Sequence, residues 1–302
     1  MSEQEPTRYT NRYLEKNLSG FDPGSGEAGF FSWFRPAEVE FQRLVWLRPP
    51  TGEPARDPDT VLTWGSAGER YRPLEAEPDL FLEFVDVPLS SDSVLAFARQ
   101  HGPLYIGDMY IRSALKKGRR PIIPGNRLSK WFETIATMRE AVEVWRLLSS
   151  GEDAELRHRL EWQGTKGRYS VLYKSEARRE AIANQQHGFA SSFFDRWKRG
   201  DIIGPARLFL ARSINKGMRG AVSPQLLMDD TGNFRPYTTP TSLAAALWFQ
   251  FYAAVIANTP IRRCSECGAL MVCHNSRKRM HAACGNKARV RRSRAKRTPK
   301  NG

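Results

Sequence analysis

"CSECGALMVCHNSRKRMHAACGNKARVRRSRAKR", residues 264–297, contains every cysteine of a 302-residue chain and sits in its most basic segment. Cys264 and Cys267 form a C-x2-C pair followed at once by Gly268, a spacing that lets two thiolates in one tight knuckle share an ion. Thirteen residues separate Cys267 from His281-Ala-Ala-Cys284, an H-x2-C pair. Together Cys264, Cys267, His281 and Cys284 make a three-cysteine, one-histidine tetrahedral set suited to Zn2+. Cys273, with His274 beside it, competes for the fourth position. His281 is preferred because pairs at x2 spacing close from opposing knuckles, whereas Cys273 lies on the strand-like "ALMV" run. With four protein ligands no position stays open for substrate, so the expected role of the metal is structural. Its binding free energy, about 10 kcal/mol, would hold a segment too small for its own core.

The charge distribution points the same way. The formal net charge is +15, yet from residue 262 to the end thirteen Lys/Arg face one acid, Glu266, so twelve of those charges sit in this tail. The remainder is nearly balanced. Past the last ligand, "GNKARVRRSRAKR" is helix-compatible and carries cations on most faces: Lys287, Arg289, Arg291, Arg292, Arg294, Lys296 and Arg297. A helix with so little apolar surface is no core helix, and its cations repel one another unless an anion lies against them. These seven residues are therefore the candidate nucleic-acid contacts, with DNA favoured over RNA and binding expected to weaken steeply with salt. Arginine suits such a surface because its planar fork matches phosphate and the guanine edge.

The segment resembles the CGNR-type zinc fingers of bacterial proteins: a Cys pair followed by Gly, a basic linker, a second ligand pair, the Cys-Gly-Asn-Arg signature and an Arg-rich helix. Here the signature reads Cys284-Gly285-Asn286-Lys287. The upstream stretches "SPQLLMDD" and "PTSLAAALWFQFYAAVIANTPIRRCSECG", and more distantly "DLFLEFVDVPLSSDSVLAFARQHGPL", are similar to the ABATE-type bodies of that group. The resemblance implies a stress-related transcriptional regulator with predicted DNA binding. The chain departs from the pattern at His281, where cysteine is usual, at Lys287, where arginine is usual, and at Leu270–Met271, which replace an aromatic.

Outward from this segment, a 40% hydrophobic composition and eight tryptophans argue for a folded body. The expected fold class is α+β: a mainly helical body with small β elements, then a C-terminal zinc-finger module ending in a basic helix. The expected domains are a loose N-terminal arm (1–29), an α-rich, ABATE-like body (30–260) and the finger with its tail (261–302). "VEFQRLVWL", "TVLTW" and "LFLEFVDV" read as short strands between turn-rich loops, and 103–126 reads as a loop. Ser90 or Ser91 can cap a helix that Gly102–Pro103 stops. The clearest helix begins near Ser129, where Trp131, Ile135, Met138, Val142 and Trp145 recur at spacings of 4, 3, 4 and 3. "PARLFLARSINKGMRG" predicts another, with Pro205 in its first turn, and "SEARREAIANQQHGFASSFFDRWKRG" a third with a weak point at Gly188. "SPQLLMDDTGNFRPY" predicts two strands around a turn at 229–233. "PTSLAAALWFQFYAAVIAN" is apolar almost all round apart from Gln250, the pattern of a helix inside a core or at a subunit contact.

No Gly-rich phosphate loop or H-E-x-x-H occurs, and His101, His158 and His187 are scattered, so a catalyst is the less favoured reading. No apolar h-region opens the chain and no apolar run is long enough to span a bilayer, so neither a leader nor a membrane partner is expected. The compartment expected is cytoplasmic and reducing, nucleoid-associated if DNA is the ligand, which favours metal over disulfides. The alternatives are an RNA- or ribosome-associated factor, or an enzyme docked on nucleic acid by its zinc module. A small-molecule effector for the aromatic-rich body and homo-oligomerisation are further candidates.

Overall fold

The computed structural model describes residues 33–48, 53–54, 59–64, 67–105, 109–111, 123–165, 168–175, 179–185, 193–228, 232–273 and 279–297. Its strands are β1 (Trp33–Pro36), β2 (Val39–Arg48), β3 (Glu53–Pro54), β4 (Asp59–Trp64), β5 (Ala67–Tyr71), β6 (Met109–Ile111), β7 (Ile123–Arg127), β8 (Leu160–Gln163), β9 (Ser170–Lys174), β10 (Arg179–Asn184), β11 (Val222–Met228), β12 (Phe234–Pro240), β13 (Ile261–Arg263) and β14 (Leu270–Val272). Its helices are α1 (Pro73–Ala76), α2 (Leu80–Asp86), α3 (Ser91–His101), α4 (Leu128–Ser150), α5 (Asp153–Arg159), α6 (Ile203–Met218), α7 (Leu243–Ile256) and α8 (Ala282–Arg297). The fold is α+β, with the strands in small separate sheets. No helix among the described residues is long and apolar enough to cross a membrane.

The described residues fall into two compact units. One draws on Arg8–Glu140 and Ser213–Ala253. In it β2 is long enough to pair three times: Val39–Leu44 face β4, Val45 and Trp46 face β6, and Leu47 and Arg48 face β3. β7 pairs with both β4 and β6, so the pairings run from β2 through β4, β7 and β6 and back to β2. Beside it Phe84, Phe97 and Trp131 pack as tilted and edge-on aromatic pairs, with Phe84 and Phe97 centroids 5.3 Å apart.

Three sequence expectations need correction in detail. "LFLEFVDV" is not a strand. Residues 80–86 form α2, whose Leu80, Phe81, Leu82, Phe84 and Val85 are all buried. With five of its seven residues buried and only Glu83 and Asp86 exposed, so short a helix shows too little of its period and reads like a buried strand. Its N-cap Asp79 makes no side-chain capping bond; the Phe81 N–H donates instead to Oε1 of Gln250 at 3.2 Å. The span 103–126 is not all loop, since β6 and the start of β7 lie within it; residues 106–108 and 112–122 fall outside the described residues.

The second unit contains Ala141–Arg212 and the described residues from Ala254 onward. β8, β9 and β10 form an antiparallel sheet in the order β10-β9-β8. Its core joins Val171, Tyr173 and Ile182 to Leu147 of α4 and Phe209 of α6, with Tyr173 stacked on Phe209 at 4.0 Å. Here the expected helix around 179–184 is a strand instead. A bulge between Ala181 and Ala183 lets neighbours Ile182 and Ala183 both be buried, which erases the alternation that marks a strand. Pairing with β9 outweighs the helix propensity of its Ala, Glu and Arg.

Candidate metal centre

The centre is built on a hairpin and a helix end. β13 and β14 pair antiparallel, Ile261 opposite Val272 and Arg263 opposite Leu270. The Cys264 N–H donates to the Ala269 carbonyl at 2.8 Å, and the Gly268 N–H closes the knuckle on the Cys264 carbonyl at 2.9 Å. This turn puts Gly268 at a φ of +76°, a left-handed conformation for which glycine is the favoured residue. The returning chain is tied to the knuckle by Ser265, whose N–H and hydroxyl both donate to the Arg279 carbonyl, at 3.0 and 3.2 Å. That contact delivers His281 two residues later. The Gly285 N–H bonds the His281 carbonyl at 2.9 Å, opening α8 with Cys284 in its first turn.

The ligand atoms of Cys264, Cys267, His281 and Cys284 all lie within 4.8 Å of one another, positioned to hold a metal ion. His281 Nδ1 faces Cys267 Sγ at 3.5 Å, while Nε2 lies 3.3 Å from the Leu270 carbonyl. A carbonyl only accepts, so Nε2 carries the proton and donates, which leaves Nδ1 with a lone pair for the metal. Such a bond from the far ring nitrogen orients a ligating histidine. Protons are unevenly held within the set. The Cys264 thiol is drawn down to about 6, first by the backbone N–H of Cys267. The Cys284 thiol is pushed up to about 11, first by its hydrogen bond with Cys267 and then by burial. The α8 N-terminus adds a partial positive charge beside the sulfurs.

Cys273 is outside the cluster of ligand atoms. It is buried against Cys264 and Met271, its N–H donates to the Pro260 carbonyl at 2.9 Å, and its thiol points to the Met271 carbonyl at 3.9 Å. It acts as a small core residue behind the knuckle.

The structure also places the candidate cations. All seven lie within α8. Lys287 and Arg289 are exposed, whereas Arg291 pairs with Glu266 through Nη1–Oε1 at 2.9 Å and Nη2–Oε2 at 3.2 Å. Ala288 is buried, so the Ala288–Arg291 side of the helix is the one turned to the knuckle. Of Arg292, Arg294, Lys296 and Arg297 only the helical backbone is described.

Sequence reasoning missed the ties that hold this centre in its unit. Trp145 of α4 donates its indole N–H to the Thr259 carbonyl at 2.9 Å, and Arg263 reaches Glu143 of α4 at 3.4 Å. α7 ends with the Thr259 N–H on the Ala254 carbonyl and the Asn258 N–H on Val255, with Asn258 left-handed at a φ of 51°. This Schellman-type end turns the chain into β13. The signal available for Glu266 was its isolation as the one acid of the tail; the acceptor roles of Thr259 and Leu270 are backbone properties and had none.

His101 is fully buried in the other unit, its Nδ1 2.9 Å from Glu77 and its Nε2 3.1 Å from Glu83, with its ring against Phe97. Without solvent access it is a structural histidine. No family model matches the chain, and no curated protein or solved structure matches it either.

Proposed function

We propose that the protein is a zinc-dependent nucleic-acid-binding protein with duplex DNA as its ligand, acting in transcription regulation in the manner of the CGNR-type proteins it resembles. The observation that carries this reading is the seating of four metal-ligand atoms at the start of a helix with seven cations. Three thiolates and one imidazole suit Zn2+, and filling all four positions makes the metal a fixed hub rather than a catalyst. Zinc then sets where α8 begins and which side of it is free. Lys287 and Arg289 lie on that free side, and the single acid of the tail is already engaged by Arg291. The regulatory role, an effector for the body and a cytoplasmic, nucleoid-associated site of action belong to the same proposal.

The test is binding of the zinc-loaded chain to a short duplex DNA and to duplex and single-stranded RNA over a range of salt. The expected result is tighter binding to DNA, with log affinity falling linearly in log salt. Charge reversal at Lys287, Arg289 and Arg294 together weakens binding to every sequence and flattens that slope. Preference for RNA supports the ribosome-associated alternative, and no binding at low salt removes the tail from the mechanism.

A further inference from the structure

We infer that the outward strip of α8 starting with Asn286 and Val290 reads base edges in the major groove of duplex DNA, while the cations flanking it hold phosphates on either side. This inference rests on the nucleic-acid reading above.

Buried Ala288, with Arg291 tied to Glu266, establishes which side of the helix is inward. Successive helical residues turn by about 100°, so Asn286 and Val290 each lie about 160° from Ala288 and only about 40° from each other. Both are exposed, Val290 by 49%. The helical backbone continues beyond them to Arg297. Lys287 and Arg289 sit about 100° to either side of Ala288, so they border the strip on opposite flanks.

The outward surface is thus not uniformly cationic. A pure phosphate binder has no use for an exposed valine, which has a low helix propensity and leaves an apolar group in water. Between flanking cations, a carboxamide and an isopropyl group fit what a groove floor presents. Asparagine can donate and accept at once, matching adenine, and valine can pack on the thymine methyl. The major groove, about 12 Å wide, admits one helix with phosphates on both walls. At about 1.5 Å per residue the helix from 286 to 297 runs some 16 Å, long enough to follow four or five base pairs. The narrow major groove of duplex RNA does not admit a helix, so DNA is the occupant this surface fits.

The test selects short duplexes, randomised at their centre, with zinc-loaded wild-type chain and sequences the bound fraction. Asn286→Ala and Val290→Ala variants follow, each checked for bound zinc. The expected result is an enriched motif containing A·T pairs. Each variant binds the unselected pool as wild type does, with the same salt slope, and loses about ten-fold preference at its own position in the motif. Wild-type binding without an enriched motif overturns the inference while leaving the proposed function standing. So does enrichment of an unchanged motif by both variants. Absence of wild-type binding overturns both.

Discussion

Arg291 of α8 grips Glu266 of the zinc knuckle at two points, 2.9 and 3.2 Å, across the interval between the first ligand pair and the basic helix. The tail's one carboxylate is thereby used to hold the helix against the module, and Arg291 is turned from a free cation into a strap.

The pair is partly open to water, the arginine side chain being 72% exposed, so its contribution to stability is about 0.2–1 kcal/mol. Glu266→Gln is expected to keep its metal and fold while binding duplex DNA a few-fold more tightly, since a negative charge beside the phosphates is removed and Arg291 is released. Arg291→Ala should weaken binding less than Lys287→Ala or Arg289→Ala. Fluorescence anisotropy on one duplex compares all four variants, and weaker binding by Glu266→Gln would contradict this account of the strap.

Metal retention separates the ligands from their neighbour. Zinc content after gel filtration should fall to background in Cys264→Ser, Cys267→Ser, His281→Ala and Cys284→Ser. Cys273→Ser should keep one zinc per chain and lose about 1–3 kcal/mol of stability by burying a hydroxyl in a thiol's place. Loss of zinc from Cys273→Ser together with its retention in His281→Ala would exchange their roles.

Gln250 supplies the third prediction. On the otherwise apolar α7 its Oε1 caps α2 through the Phe81 N–H, and its Nε2 donates to the Glu77 carbonyl at 2.7 Å and to Pro73 at 3.2 Å. Gln250→Leu keeps the volume but leaves the Phe81 N–H buried without that acceptor, which costs about 1–3 kcal/mol. Urea denaturation should show a lower midpoint with an unchanged slope. An unaltered midpoint would mean the helix end finds another partner.

What could be read in advance follows physical visibility. α4 was legible because Trp131, Ile135, Met138, Val142 and Trp145 repeat at the helical period, and all five are buried. The ligand set was legible because its residues come in short-spaced pairs whose chemistry survives without knowledge of the fold. α2 was hidden by its shortness and its five buried apolar residues out of seven, and β10 by the bulge at 181–183. The role of Gln250 was invisible for a different reason: its three bonds reach back about 170 residues to a backbone that no local pattern announces.

The central claim, that the metal sets the basic helix for nucleic acid, is tested most directly by one titration. Binding of the full chain to a short duplex is measured across salt with zinc bound, after removal by a chelator, and after zinc is restored. The account predicts a steep salt dependence with zinc, at least about ten-fold weaker binding without it, and full recovery on readdition. Equal affinity and equal salt slope with and without zinc would contradict it.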